Sequence, residues 1–245
     1  MNAVKAVRKV SFDLRRGETL GIVGESGSGK STLARCIIRL IQSDAGEILL
    51  DGVDLMQLNR NSMRLVRSKI QMVFQDPFAS LNPRIKIGDI IAQGPEIQGL
   101  TKVEAEGRAR ELISIVGLDD KAYNRFPHEF SGGQRQRIGI ARSLAVKPEI
   151  LIADEPVSAL DVSIQAQILN LLDQIRTQMN LAMIFITHDL RVAAQVCDRL
   201  AVMRYGEVVE AGSTSELFAS PQHDYTQSLL AAVPGKAWQE GVFTN

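Results

Sequence analysis

The sequence predicts an α/β fold: a mostly parallel core sheet with an antiparallel β subdomain and a helical subdomain. Three observations carry this. Strand patterns alternate with helix patterns near both ends of the chain, the arrangement that produces parallel βαβ units. Two pairs of short apolar runs flank tight turns, at Asp51-Gly52 and Tyr205-Gly206, and read as antiparallel hairpins. Between residues 77 and 147, helix patterns dominate, punctuated by Asn82-Pro83 and Gly94-Pro95.

Taken in order, Glu18 to Val23 is an apolar strand that runs into Gly24-Glu25-Ser26-Gly27-Ser28-Gly29-Lys30-Ser31. A helix over Ser31 to Ile41 follows, with Leu33, Ile37, Ile38 and Ile41 on one face. Glu47 to Leu50, Asp51-Gly52 and Val53 form the first hairpin, and Ile70 to Phe74 a buried strand closed by Gln75-Asp76-Pro77. Thr101-Lys102-Val103-Glu104 is a capping box opening a helix to about Val116. Gly132 to Val146 is a second helix, stopped by Pro148. Glu149 to Ala153 returns to strand, and Asp161 opens a helix with Ile164, Ile168, Leu171 and Ile175 at helical spacing. Leu181 to Ile186 is a strand, Asp189 to Val196 a helix, and Leu200 to Arg204 with Glu207 to Ala211 the second hairpin. Ser213 to Glu216 caps a short helix, and Asp224 to Val233 is the last one.

Composition narrows the function. The chain has 245 residues, 45% of them hydrophobic, so it is long enough to bury a large core and is not a disordered chain. Its 28 Lys+Arg balance 28 Asp+Glu, which argues against a surface devoted to nucleic acid. Leu181 to Ile186 is too short to span a bilayer, and Met1 to Val10 lacks the apolar core of a signal peptide. The two cysteines, Cys36 and Cys197, exclude a disulfide scaffold and a cysteine zinc cluster, and both fall on helix patterns as inert buried thiols. A soluble cytosolic protein is expected.

The chemistry begins at Gly24–Ser31, which matches G-x-x-x-x-G-K-[ST] between a strand and a helix. Glycines let successive backbone N–H groups approach phosphate oxygens, and the helix start adds positive potential. Gly24, Glu25, Ser26, Gly27, Ser28, Gly29, Lys30, Ser31 and Thr32 are therefore the candidate phosphate-binding residues. Lys30 supplies a point charge to the β- and γ-phosphates, and Ser31 ligates Mg²⁺. The bland alternative is a glycine loop that only joins strand to helix.

Ile150 to Ala153 ends in Asp154-Glu155. Two carboxylates facing phosphates would repel them unless a cation lay between, so Asp154 reads as a Mg²⁺ partner, directly or through water. Glu155 reads as the group that orients and polarises attacking water; a solvated acidic turn is the alternative. His188 follows another strand and is placed to contact a γ-phosphate, whereas His128 and His223 are left structural. Gln75 also ends a strand, and its amide can ligate the metal or water. Ser131-Gly132-Gly133-Gln134 opens a helix with an N-cap residue and two glycines, a second anion site. It serves either a second phosphate group in the same chain or the Lys30 site of another subunit, unless it is an ordinary cap.

Gly24–Ser31, Gln75, Ser131–Gln134, Asp154-Glu155, Ser158-Ala159-Leu160-Asp161 and His188 together resemble, in order, six motifs of the ATP-binding cassette (ABC) ATPases: Walker A, Q-loop, signature, Walker B, D-loop and H-loop. The resemblance covers nearly the whole chain. It implies a P-loop NTPase (RecA-like) core and one nucleotide-binding domain over 1–245: core and β subdomain at 1–76 and 148–211, helical subdomain at 77–147, tail at 212–245. It further implies ATP and Mg²⁺ as cofactors, with Glu155, His188, Lys30 and Gln75 catalytic and Asp161 beside the nucleotide. Ser31, Gln75 and Asp154 would hold the metal.

The implied partners are a second ABC subunit, identical or not, arranged head to tail so that ATP lies between Walker A of one and Ser131–Gln134 of the other, and transmembrane permease subunits reached through Gln75 and the helical subdomain. The implied location is peripheral, on the cytoplasmic face of the inner membrane, with no nucleic acid partner.

Met72 to Arg84, His128-Glu129-Phe130, Val157 to Gln167 and Ser220 to Thr226 are similar to the branch importing di- and oligopeptides, glutathione or nickel. The expected function is ATP hydrolysis energising import of di- or oligopeptides, with nickel or glutathione import as alternative. A soluble ABC ATPase acting on nucleic acid or ribosomes is the alternative of a different class. The resemblance places the family's first strand and adenine-stacking aromatic upstream of Val4, so either the chain is a fragment of a longer polypeptide or Val4 to Val7 give only apolar contact. Asp224 stands where the branch usually has Pro, and the absence of cysteine after Cys197 leaves no iron–sulfur site expected.

Overall fold

The computed structural model describes residues 5–76 and 80–233; Val4 and the Pro77–Ala79 part of the motif quoted above lie outside them. The principal elements run β1 (Thr19–Val23), α1 (Lys30–Ile37), β2 (Leu49–Leu50), β3 (Val53–Asp54), α2 (Arg60–Lys69), β4 (Ile70–Val73), α3 (Ile87–Ile97), α4 (Lys102–Ile115) and α5 (Gly132–Leu144). They continue as β5 (Ile150–Asp154), α6 (Val162–Met179), β6 (Ala182–Thr187), α7 (Leu190–Val196), β7 (Arg199–Arg204), β8 (Glu207–Ser213), α8 (Thr214–Ala219) and α9 (Asp224–Ala231). These fall into two compact units, one from the chain up to Asp44 together with the chain from Ala182, the other Ala45–Leu181.

In the first unit the strands lie in the order β6-β1-β7-β8. β1 is parallel to β6 and to β7, with Val23 opposite Thr187 and Val202. β8 returns antiparallel to β7 across Tyr205-Gly206, whose φ angles of 49° and 83° suit a two-residue hairpin turn. All five residues of β1 are buried, as expected of a strand flanked by two others and covered on its faces. Leu20, Ile22, Phe185, Ile186 and Met203 form its core. Gly21 is required by close packing: an added Cβ would lie 2.5 Å from Leu200 Cδ2 and 2.7 Å from Cys197 Sγ. Cys197 is buried, and burial pushes its thiol pKa up, which keeps it the inert protonated group expected. Cys36, by contrast, is half-buried, because α1 turns that face partly toward solvent.

In the second unit β4 and β5 are parallel, with Val73 opposite Ala153. β2 and β3 form the antiparallel hairpin around Asp51-Gly52. Helices α3, α4 and α5 pack on one another through Ile87, Ile91, Leu112, Ile113, Ile138 and Leu144, all fully buried. Gly88 admits the ring of Tyr123, which would stand 2.3 Å from an added Cβ.

Several elements differ from the sequence reading: β8 runs on to Ser213 and α9 ends at Ala231 rather than Val233. α1 ends at Ile37 rather than Ile41, because Arg39 takes φ +52° and the amides of Leu40 and Ile41 turn back onto the Arg35 carbonyl. α2 is not in the sequence reading: its apolar face is narrow, with Met63 its one buried residue, and the cap made by Asn59 on the Ser62 amide is its local signal. α3 continues through Gly94-Pro95, which read as punctuation. Pro95 lies in the final turn, where burial of Ile87, Ile90, Ile91 and Pro95 itself outweighs the lost amide. α5 stops at Leu144, short of Val146, as Lys147 adopts φ +53° ahead of Pro148.

Among the described residues, no helix is long and apolar enough to cross a membrane. Phe185→Ala, in the core of the first unit, is expected to cost about 3–5 kcal/mol. Val103→Ala, at a position 80% exposed, should change stability by no more than about 0.5 kcal/mol. Urea unfolding of the two variants measures the contrast.

Candidate functional site

In the first unit, β1 delivers its chain directly into the phosphate loop. Gly24, Gly27 and Gly29 adopt φ of 151°, 81° and 103°, values that side chains with a Cβ resist. Gly24 is also crowded: an added Cβ would lie 2.2 Å from the Met203 carbonyl oxygen. These turns lead into α1, whose first residue is Lys30. Lys30 is 5% exposed, and its Nζ donates to the carbonyls of Gly24 at 2.7 Å and Glu25 at 2.8 Å. The ammonium is thus held inside the loop rather than extended into solvent. Ser28 is buried, and its Oγ has no hydrogen-bond partner. An unsatisfied buried hydroxyl beside the amides of a helix start is the local chemistry a phosphate oxygen would complete. Ser31 and Thr32 are half-buried in the first turn of α1.

His188 immediately follows β6, and Thr187 pairs in parallel with Val23. Register therefore brings His188 to the same sheet edge as Gly24. Its ring is exposed. The following Asp189 caps α7, accepting from the Arg191 amide at 2.9 Å. Side-chain hydrogen bonds from Arg191 hold the Asp189 carboxyl below the usual range.

In the second unit, the parallel pairing of β4 with β5 sets Gln75 beside Asp154 and Glu155 in the same way. Gln75 Nε2 donates to Glu155 Oε2 at 3.1 Å. That leaves Gln75 Oε1 as the oxygen this amide can offer a cation. Asp154 ends β5 and is 2% exposed. Glu155 departs from the strand at φ +46°, a left-handed conformation that a non-glycine residue keeps only where its surroundings enforce it. Here the Glu155 carbonyl accepts both the amide and the hydroxyl of Ser158, at 3.3 and 3.2 Å.

Ser131 caps α5 with a complete capping box: its Oγ accepts the Gln134 amide, and Gln134 Oε1 accepts the Ser131 amide at 3.0 Å. The amides of Gly132 and Gly133 open the helix without an intrahelical acceptor. Gly133 is held against α6, where an added Cβ would lie 2.5 Å from Ile164 Cγ2. Asp161 caps α6 with its backbone alone, and its exposed carboxylate makes no capping bond.

Gln165 is a residue the sequence patterns do not single out. Its amide donates to the carbonyls of Val157 and Leu160, both at 3.0 Å, and so shapes the loop before Asp161. A polar residue one turn into an amphipathic helix is the signal that could have drawn attention to it. His128 stacks on Phe126, and His223 Nδ1 caps α9 through the Tyr225 amide.

Each unit offers oxygen donors of the kind a hard cation takes: the hydroxyl of Ser31 in the first, the amide oxygen of Gln75 and the carboxylate of Asp154 in the second. Among the described residues, no three His, Cys, Asp or Glu side chains group as a metal site. A cation held by Gln75 and Asp154 would take further oxygens from the substrate or water, the usual habit of Mg²⁺.

Three comparisons bear on this chemistry. The family described as ABC transporter matches residues 7–158. The oligopeptide transport ATP-binding protein OppF of Bacillus subtilis is 53% identical over 234 residues, covering 94% of this chain and 77% of its own length. The dipeptide transport ATP-binding protein DppF of Lactococcus lactis is 51% identical over 236 residues, 95% of this chain and 76% of its own. Among solved structures, a dimeric post-hydrolysis state of the ATP-binding cassette MJ0796, bound to ADP and Pi, aligns with a TM-score of 0.77 at 31% identity. That alignment covers 85% of this chain and 90% of that one.

Gly133→Ala is expected to cost about 1–3 kcal/mol through overpacking. The cost should fall in an Ile164→Ala background, where the γ2 carbon is gone. Unfolding of the four chains of this double-mutant cycle measures the coupling; equal costs in both backgrounds would place the crowding elsewhere.

Proposed function

The chain belongs to the ABC transporter family, and on that premise we propose that it is the ATP-hydrolysing subunit of an importer for di- and oligopeptides. The observation that carries the hydrolytic reading is the Gln75–Glu155 hydrogen bond beside buried Asp154. It supports a fixed carboxylate at a strand end as the group that polarises water. The peptide cargo is supported by the names of the relatives that match 94–95% of this chain.

Each residue then has a task. The amides of Gly27 to Thr32 bind the phosphates, and Lys30 exchanges the Gly24 and Glu25 carbonyls for the terminal phosphate, whose charge grows in a loose transition state. Glu155 orients the attacking water in line with the γ-phosphorus and takes up its proton. Gln75 steadies Glu155 and offers Oε1 to the metal, together with Ser31 and Asp154. Mg²⁺ bound there would neutralise phosphate charge. His188 holds the γ-phosphate from its own sheet edge.

Ser131, Gly132, Gly133 and Gln134 act in a partner subunit arranged head to tail. Their helix start supplies positive potential to the nucleotide, and Asp161 lies beside it. Closure of the pair depends on ATP, and hydrolysis releases it. The helical subdomain at 77–147 conveys this to transmembrane subunits, with the chain peripheral on the cytoplasmic face of the membrane.

Glu155→Gln should lower phosphate release by roughly 10²–10⁴-fold while ATP binding persists; unchanged turnover would remove Glu155 from the mechanism. Lys30→Ala should lose most ATP affinity, and normal binding would contradict the cradle. For the cargo, the tagged chain should co-purify from membranes with permease subunits whose ATPase is stimulated by peptide and its binding protein. Stimulation by nickel or glutathione alone, or co-purification with nucleic acid, would refute the assignment.

A further inference from the structure

Glu25 is the second residue of the phosphate loop, and its amide is committed elsewhere: it donates to the hydroxyl oxygen of Tyr225 at 3.2 Å. Tyr225 lies in the first turn of α9, far away in sequence, and is 5% exposed. Its own amide is capped by His223 Nδ1 at 3.1 Å. The Arg204 guanidinium, at the end of β7, sits 4.6 Å from the Tyr225 ring centroid and 5.0 Å from that of Tyr205. The ring is therefore oriented from one side by a cation and from the other by a capped helix start.

The same corner touches the loop a second time. Gly206, in the β7–β8 turn, donates its amide to the Ser28 carbonyl at 2.9 Å. Beside these contacts a cleft of about 270 Å³ opens, lined by Glu25, Arg204, Asp224, Tyr225 and Ser228 among others. The body of α9 is thus not pressed against the loop by close packing, and the hydroxyl–amide bond bridges the gap.

We propose that Tyr225 is a positioning residue for the phosphate loop: by accepting the Glu25 amide it fixes the entry of the loop and couples nucleotide binding to the docking of α9. The inference rests on the nucleotide-binding reading of Gly24–Thr32. With Glu25 turned outward, the chain enters Gly27–Gly29 in one conformation, and less ordering remains to be done when phosphate arrives. Linkage makes the effect reciprocal: whatever affinity α9 docking adds, nucleotide returns as stabilisation of α9. A purely packing role is the competing account, and Tyr225→Phe separates the two because it keeps the ring under Arg204 and removes one oxygen.

The test uses the full chain as wild type, Tyr225→Phe and Ser228→Ala. Ser228 lines the same cleft, but its Oγ donates to Asp224 within α9. Equilibrium titration with a non-hydrolysable ATP analogue and Mg²⁺ is paired with amide exchange over residues 224–231. Tyr225→Phe should bind the analogue roughly 3- to 10-fold more weakly, the loss of one neutral hydrogen bond, while its nucleotide-free unfolding midpoint stays within about 2 °C of wild type. In wild type the analogue should slow exchange in α9, and in Tyr225→Phe this slowing should shrink; Ser228→Ala should behave as wild type in both. Equal affinity of wild type and Tyr225→Phe, or an equal loss in Ser228→Ala, would overturn the proposal alone. A wild-type chain that does not bind the analogue would overturn it together with the nucleotide-binding reading.

Discussion

Parallel pairing obliges neighbouring strands to end on the same edge of the sheet, and most of the candidate site residues of this chain lie at such ends. Val23 opposite Thr187 places the phosphate loop beside His188. Val73 opposite Ala153 places Gln75 beside Asp154 and Glu155. Residues separated by 80 positions, such as Gln75 and Glu155, meet at 3.1 Å for this reason alone. A slip of one residue in either register would also turn each strand's core face toward the other side. The buried apolar residues of β1, β5 and β6 thereby hold the chemistry in place.

The second ingredient is backbone that would be unfavourable elsewhere. Gly24, Gly27 and Gly29 accept positive φ so that amides can gather at the start of α1, and Glu155 is kept at φ +46° by bonds to Ser158. Such conformations persist because the surroundings over-determine them. Around Gly24 the surroundings are the Met203 carbonyl and the β7–β8 turn; around Gly133 they are Ile164 on α6. The two helix starts that the ATPase reading assigns to phosphate are therefore built on glycine for two reasons. Amides must be exposed, and a neighbouring element must approach closely.

Much of this was legible in the sequence, and the reason differs by element. The strands flanking the motifs were visible because each is a short apolar run leading into glycine, glutamine, carboxylate or histidine. The capping box at Thr101–Glu104 was legible as a local hydrogen-bonding pattern, and it is present. The phosphate loop was legible from the spacing of its Gly, Lys and Ser residues, Gln75 and Asp154-Glu155 as polar groups at strand ends and Ser131 as a helix cap; their grouping into one site is what the resemblance to the ABC ATPases implies. α2 is hard to read because its apolar face is narrow, Met63 and Val66 among charged and polar residues, and only Met63 is buried. α3 was masked by Gly94-Pro95, whose local penalty is overridden by tertiary packing. The tasks of Gln165 and Tyr225 were hidden for a related reason: each works through a bond to a backbone carbonyl or amide, and no pattern of side chains announces such a partner.

The proposed ATPase requires that Lys30 of one subunit and Ser131 of another serve the same nucleotide. The direct measurement mixes two inactive chains, Lys30→Ala and Ser131→Arg, in equal amounts and follows phosphate release across a range of protein concentrations. Each mixed pair contains one site with both residues intact. Random pairing should therefore restore activity toward about a quarter of wild type as concentration rises. Activity that stays at the level of the separate variants at every concentration would show that the two residues do not meet across subunits.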